Sequence, residues 1–514
     1  MSRANLTGLL DGPSRWLADH PAIVVGERPM RTWGELGEAV AERATALRDR
    51  YAVHPGDRVA LFAGNCPEYL EILFAIWHAG GVAVPINARL HSKEAAALLE
   101  SSAAKVCFAT TEVADAIERD APAQTPVALI EPLVDAGRTA AEPMAAVSRS
   151  ANDDAWIFFT SGTTGRAKGA RLSHGNLLAM SAAYYADVAA VSPRDSIVHV
   201  AALSHASGLL SLPFIGRGAA QVLPPSGKFD AAELLELVAL GEQSTFFVPP
   251  TLLRRLCEAP EAASAAVERL GTVIVGAAPV TAADLRLAGA TLGPRLWNGY
   301  GQGESPCTIT AMSREAIAAA LEADDDERLG SVGVARFAMR VRVVDGQDRP
   351  LPAGETGEVV VDGPTVMSGY LDMPDETAET LRGGWLHTGD LGRFDGEGRL
   401  WLVDRAKDVV ISGGYNVYPR EVEDVLLGDP AVAEVAVIGV PDREWGECVV
   451  AYVVAKHGAA IDETALDRRC LESIARHKRP KRYRVVSELP RNSAGKVLKT
   501  ALRERDAVPG EAPR

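Results

Sequence analysis

Through the first 400 residues, stretches with helical periodicity alternate with short apolar runs, and this alternation constrains the fold more than any other feature of the chain. Thr32-x-x-Glu35 makes a capping box ahead of a helical pattern over 36–47. The strand-like run Arg58-Val-Ala-Leu-Phe62 follows, then a helical pattern over 67–79 that Gly80-Gly81 stops before Val82-Ala-Val-Pro85. The alternation recurs at 95–100 before Lys105-Val-Cys-Phe108, at 231–240 before Thr245-Phe-Phe-Val248, and at 282–289 after Thr272-Val-Ile-Val-Gly276. The expected class is α/β, with helices over buried sheets and ligands at loops that leave strand C-termini. The alanine-rich, then acidic, stretch 313–328 reads as an exposed helix and loop.

One such loop carries chemistry. Thr160-Ser-Gly-Thr-Thr-Gly-Arg-Ala-Lys168-Gly169 follows the apolar strand Trp156-Ile-Phe-Phe159. Glycines let backbone amides turn toward an anion, hydroxyls add donors and Lys168 adds a full positive charge, so the loop predicts a polyphosphate, most simply ATP. It is not a Walker loop, because the lysine stands three places after Gly165 and is followed by Gly169. Ala170-Arg-Leu172 looks extended and helical periodicity starts only near Asn176, so the loop is expected to join two strands.

Texture changes around Val341-Arg-Val-Val344 and Glu358-Val-Val-Val361, where Pro and Gly turns separate short strands and predict a small β lobe. A sharper break falls at Asp404-Arg-Ala-Lys-Asp408. Beyond it, runs at 409–411, 433–439, 449–454 and 483–486 with helical patterns at 421–427 and 463–474 form a compact α+β unit. Charge supports the break: residues 405–514 hold 19 Lys plus Arg against 17 Asp plus Glu, and the preceding part holds 34 against 51. The net charge of −15 argues against general nucleic-acid binding. Six scattered cysteines, without a C-x-x-C pair, read as small buried residues rather than disulfides or a zinc site. No signal peptide and no eighteen-residue apolar run is evident, so the cytoplasm is the expected location.

Four further segments hold chemically suggestive residues. Asn298-Gly-Tyr-Gly-Gln-Gly-Glu304 offers an aromatic ring for a base and a carboxylate for Mg²⁺. Gly384-Trp-Leu-His-Thr-Gly-Asp390 and Asp404-Arg405-Ala-Lys407 supply an acceptor and a donor that a ribose diol can bridge. Leu489-Pro-Arg-Asn-Ser-Ala-Gly-Lys496 delivers a lysine on a glycine-bearing turn.

Taken in this order, the five motifs closely resemble the adenylate-forming superfamily: acyl-CoA synthetases, aryl-CoA ligases, luciferases and peptide-synthetase adenylation domains. The resemblance covers nearly the whole chain. It implies a large N-terminal α/β body over 1–404 with a small β lobe, a hinge at 405–407, and a small mobile α+β domain over 408–514. It also implies two half-reactions: a carboxylate attacks the α-phosphate of Mg·ATP and expels pyrophosphate, then the thiol of coenzyme A displaces AMP.

By the same resemblance Thr160, Ser161, Gly162, Thr163, Thr164, Gly165 and Lys168 would hold the β- and γ-phosphates, and Glu304 the metal. Lys496 would bridge the carboxylate and the α-phosphate. Asp390 and Arg405 would fix the ribose, and Gly276, Ala277 and Ala278 with Asn298, Gly299, Tyr300 and Gly301 would enclose adenine. Turning about Lys407 would replace Lys496 with Gly414, whose missing side chain leaves a tunnel for pantetheine. Trp445 would pack along that arm, and Lys478, Arg479, Lys481 and Arg482 would meet the nucleotide phosphates of coenzyme A.

Two departures matter. Gly303 stands where the family turn usually has Thr, and Ala202-Leu-Ser-His205 replaces Pro-Leu-x-His, although His205 still fits the gate between phosphate loop and acyl pocket. The implied acyl lining, His205, Ala206, Gly208, Pro249, Gly276, Gly301, Gln302 and Pro306, holds neither an aspartate for an amino group nor an arginine for a second carboxylate. Only Lys228 or Arg254 would intrude. An aliphatic or aryl monocarboxylate is the expected acid. Rival readings are an acyl-AMP ligase that loads a separate carrier protein, and a non-catalytic nucleotide or acyl binder; Gly414, Trp445 and the basic patch favour coenzyme A, and Lys168 with Lys496 favours catalysis. Small-molecule acid, ATP and coenzyme A are the expected partners, and a homodimer is compatible with the sequence.

Overall fold

The computed structural model describes residues 4–130, 142–160, 167–263, 265–405, 408–412, 415–442, 445–476, 478–492 and 495–507. By internal contacts the chain divides into one unit of 1–341 with 361–386 and another of 342–360 with 387–514.

The first unit is built on two mixed sheets. In the six-stranded sheet the order is Val127–Leu129, Val106–Ala109, Arg58–Ala63, Val82–Asn87, Asp154–Thr160 and Lys168–Ser173. All neighbours are parallel except the last pair, which is antiparallel, so the phosphate loop does join two strands. The nine-stranded sheet has a parallel centre of Ser196–Val198, Ser244–Val248, Leu270–Val275 and Leu296–Gln302, to which Ser305–Met312 adds antiparallel. Central strands buried on both faces need continuous apolar runs, and every residue of Leu270–Val275 is buried.

Local sequence sets the helix starts. The Thr32 box opens the helix Trp33–Tyr51. The helix expected from about Asn176 begins at His174, because the Ser173 hydroxyl accepts the Asn176 amide and the Asn176 side chain answers the Ser173 amide. Residues 313–328 differ from their reading as an exposed helix and loop. They form Arg314–Glu322 and Asp326–Leu329, with Ile317, Ala320 and Leu329 buried in the core. The acidic run hides one apolar face.

In the second unit, Arg342–Val344 of the strand Arg340–Val344 leads a four-stranded sheet continued by Gly357–Asp362, Leu386–Phe394 and Leu400–Arg405. The C-terminal sheet centres on the long hairpin Val432–Asp442 and Gly446–Ala455, flanked by Val410–Ser412 and Arg482–Val486. Contacts thus group the β lobe with the C-terminal part, ahead of the break read at 404/405. The Asp404 carboxylate, which accepts the Arg420 amide at 2.9 Å, is one tie within this unit. All six cysteines are free. Among the described residues, no helix is long and apolar enough to cross a membrane.

Candidate active site

Thr160 ends the strand Asp154–Thr160, and Lys168 opens the next strand as its cross-strand partner. Ser161, Gly162, Thr163, Thr164 and Gly165 lie outside the described residues. Glu304 sits in the tight turn between Leu296–Gln302 and Ser305–Met312, and only 9% of it is exposed. Its Oε1 accepts the Thr160 hydroxyl at 3.1 Å and the Tyr370 hydroxyl at 2.8 Å. Oε2 takes no partner among the described residues. The Thr160 to Glu304 bond joins strand ends of the two sheets. Sequence reasoning linked these two motifs only through a family; the bond links them physically.

Tyr370 was missed. Its ring lies 5.1 Å from the Lys168 ammonium, and burial, then the Glu304 charge, push its phenol well above the usual range. It therefore remains a donor.

Gly303 has a local explanation. A Cβ there would fall 2.5 Å from Thr160 Cγ2 and 2.6 Å from Phe158 Cδ1, so the space of a larger side chain is already filled.

Among the residues expected at adenine, Val275 pairs with Asn298, which sets the loop 276–278 beside Asn298, Gly299 and Tyr300. Gly276 is held close: a Cβ would meet the Gly299 carbonyl oxygen at 2.8 Å. Ala277, at φ +66°, and Ala278 are exposed, whereas Asn298 and Tyr300 are mostly buried and Gly301 backs onto Cys307. The structure thus brings these adenine candidates together.

His205 precedes the helix Ala206–Ile215, contacts the Ser204 hydroxyl at 2.9 Å, and meets the Phe158 ring edge-on at 5.5 Å. Burial lowers its pKa, which favours the neutral imidazole. The loop before it is clamped by Asn65, a second residue that sequence reasoning missed. The Asn65 amide donates to the carbonyls of His199 and Ala201 at 3.0 and 2.9 Å, and its oxygen accepts the Leu203 amide at 2.9 Å. His199 is buried between Ser207 and Gln221, and desolvation brings its pKa down to about 4. Of the two cations expected near the acyl pocket, Arg254 is paired with Asp284 at 2.8 Å and Lys228 is exposed.

The second unit holds the other candidates. Asp390, 5% exposed, pairs with Arg405 directly across the hairpin. Only the backbone of Arg405 is described, and Lys407 and Gly414 lie outside the described residues. Lys496 is exposed on a turn in which its amide donates to Asn492 Oδ1 at 2.8 Å and its carbonyl accepts the Asn492 amide at 2.9 Å. Trp445 and Lys481 come together, with the ammonium 4.7 Å from the ring centroid. The rest of the basic patch is largely engaged: Lys478 pairs with Glu421, Arg479 with Asp467, and Arg482 lies near Cys448 and Asp506.

No group of three or more His, Cys, Asp or Glu among the described residues could hold a metal alone. A single carboxylate with one oxygen already fixed suits Mg²⁺ that takes its remaining ligands from nucleotide phosphates and water.

The AMP-binding enzyme family matches residues 14–371, and the AMP-binding enzyme C-terminal domain matches 421–496. The chain is 38% identical to a feruloyl-CoA synthase of Amycolatopsis sp over 92% of its own length and 94% of that protein. It is 34% identical to the long-chain-fatty-acid–CoA ligase FadD13 of Mycobacterium tuberculosis, over 91% of this chain and 92% of that one. Its structure resembles o-succinylbenzoate CoA synthetase from Bacillus subtilis in complex with its acyl-adenylate intermediate, with a TM-score of 0.85 and 28% identity over 96% of this chain and 97% of that one. With the family pattern spanning most of the chain, this protein belongs to the AMP-binding enzymes of the adenylate-forming superfamily.

Proposed function

We infer that this chain is an AMP-forming acid–CoA ligase whose acid is a monocarboxylate of the aryl, hydroxycinnamate-like class. In the first half-reaction a carboxylate oxygen bonds to the α-phosphorus of ATP while the bond to the bridging oxygen breaks and pyrophosphate leaves. In the second, the coenzyme A sulfur bonds to the acyl carbon, AMP leaves and the thiol proton passes to solvent. A carboxylate is already a competent nucleophile, so this reading needs no general base for adenylation.

The observation that carries the reading is the cluster of Thr160, Lys168, Glu304 and Tyr370, a cation and a metal-type carboxylate fixed at the ends of strands from two sheets. Phosphoryl transfer is mainly a matter of positioning and of stabilising spread negative charge, and these groups are fixed before substrate arrives. When bound at Glu304, Mg²⁺ would neutralise charge on the phosphate oxygens. Lys168 would steady the departing pyrophosphate and Lys496 the α-phosphate, with Gly414 taking the place of Lys496 for thioester formation after the hinge near Lys407 turns. Asp390 and Arg405 would hold the ribose.

An aryl acid is favoured by the similarity to feruloyl-CoA synthase and by the absence of a described cation among the acyl candidates, since Arg254 is committed to Asp284. A long-chain aliphatic acid is the second reading, supported by the FadD13 likeness. The test is acid-dependent pyrophosphate release across hydroxycinnamates, fatty acids and dicarboxylates, with and without coenzyme A. Turnover led by hydroxycinnamates and completed by coenzyme A supports the reading; preference for a dicarboxylate, or indifference to coenzyme A, overturns it.

A further inference from the structure

We propose that Tyr370 is a positioning residue that sets both charged groups of the nucleotide site, Glu304 through its hydroxyl and Lys168 through its ring. Three observations converge on it. The hydroxyl donates to Glu304 Oε1 at 2.8 Å, alongside Thr160 at 3.1 Å. Two donors on one oxygen fix the carboxylate plane and leave Oε2 as the atom presented to a metal. The ring meanwhile sits 5.1 Å from Lys168 Nζ, within the range at which a ring face attracts an ammonium.

The backbone around Tyr370 shows why one residue can serve both. Residues 367–371 are stitched to the strand that Lys168 opens: the Leu371 amide donates to Gly169, the Arg171 amide to Gly369 and the Ser368 amide to Arg171, at 2.8, 2.9 and 2.9 Å. On the other side the Met367 amide donates to the Glu304 carbonyl at 2.9 Å. The Tyr370 amide is itself tied to the Thr377 hydroxyl at 2.9 Å. A short segment thus spans the exit of the phosphate loop and the carboxylate turn, and Tyr370, 8% exposed, is the side chain it aims at both.

The inference rests on Glu304 and Lys168 serving the nucleotide, and the experiment separates the two. Mg²⁺ is titrated against enzyme with an ATP analogue carrying a methylene between the α- and β-phosphorus, read by calorimetry without turnover. Tyr370→Phe keeps the ring and loses the hydroxyl; the Mg²⁺ midpoint should rise about tenfold or more, the loss of a hydrogen bond to a charged group, while analogue affinity at saturating Mg²⁺ stays within about twofold. Tyr370→pentafluorophenylalanine keeps the shape and drains the ring face; relative to Tyr370→Phe, analogue affinity at saturating Mg²⁺ should fall a few-fold. An unchanged midpoint in the first variant, or equal affinities in the two, overturns the proposal, and a lowered melting temperature alone marks a merely structural role. If the unaltered enzyme shows no Mg²⁺-dependent analogue binding, the nucleotide reading itself fails.

Discussion

Gly303→Ala adds one methyl to the turn that carries Glu304, and the structure says where it must go. The new Cβ would lie 2.5 Å from Thr160 Cγ2 and 2.6 Å from Phe158 Cδ1, well inside the ~3.5 Å at which carbon atoms pack. Neither neighbour yields freely. Thr160 is β-branched and holds Glu304 with its hydroxyl, and Phe158 is backed by the His205 ring. Overpacking of this kind costs about 1–3 kcal/mol. If it is relieved by moving Thr160 and Glu304 out of place, the same energy appears as a loss of about 5- to 150-fold in kcat/KM for ATP. The assays are a denaturant melt and acid-dependent pyrophosphate release. Thr160→Ser keeps the hydroxyl and removes Cγ2, so the double variant should recover at least about 0.5 kcal/mol relative to additivity. A Gly303→Ala enzyme with unaltered melting and kinetics, or strict additivity with Thr160→Ser, would refute this account of the turn.

Acid should destabilise the N-terminal unit through two buried imidazoles. His199 and His174 have pKa values lowered to about 4, chiefly by desolvation, whereas the unfolded chain titrates near the ordinary 6.5. Between those values the unfolded state binds more protons, so stability present above pH 6.5 is lost as pH falls toward 4, on the order of 3 kcal/mol for each group. A melting temperature flat from pH 7 to 4.5 would contradict this. Trp445→Ala should raise KM for coenzyme A about 2- to 5-fold by dispersing the Lys481 pair, while pyrophosphate release without coenzyme A stays within about twofold; equal effects on both would remove Trp445 from the thioester step.

The strand pair around the 161–166 loop, the Glu304 turn and the pairing strands of Asp390 and Arg405 could be placed from sequence because glycines, hydroxyls and charges crowd into short runs there. Tyr370 was not, since a lone tyrosine in Ser368-Gly-Tyr-Leu-Asp372 carries no periodicity and its carboxylate partner is 66 residues away. Asn65 was hidden in the same way, its three bonds reaching 134 to 138 residues along the chain. The alternating pattern gave the sheets, but the acidic composition of 313–328 concealed the buried face at Ile317 and Ala320. Charge count does not report which strands pair, and the grouping of 342–360 with 387–514 by internal contacts has no signature in it.

On the proposed mechanism two lysines would divide the chemistry, Lys168 holding pyrophosphate and Lys496 acting at the α-phosphate in adenylation alone. Lys496→Ala tests it in one experiment, in which the enzyme receives either acid with Mg·ATP or a preformed acyl-adenylate with coenzyme A. Adenylate formation should fall by about a hundredfold or more, as when a group aimed at the transition-state charge is removed, while thioester formation from the supplied adenylate stays within a few-fold of the unaltered enzyme. Comparable losses in both halves, or adenylation at an undiminished rate, would contradict it.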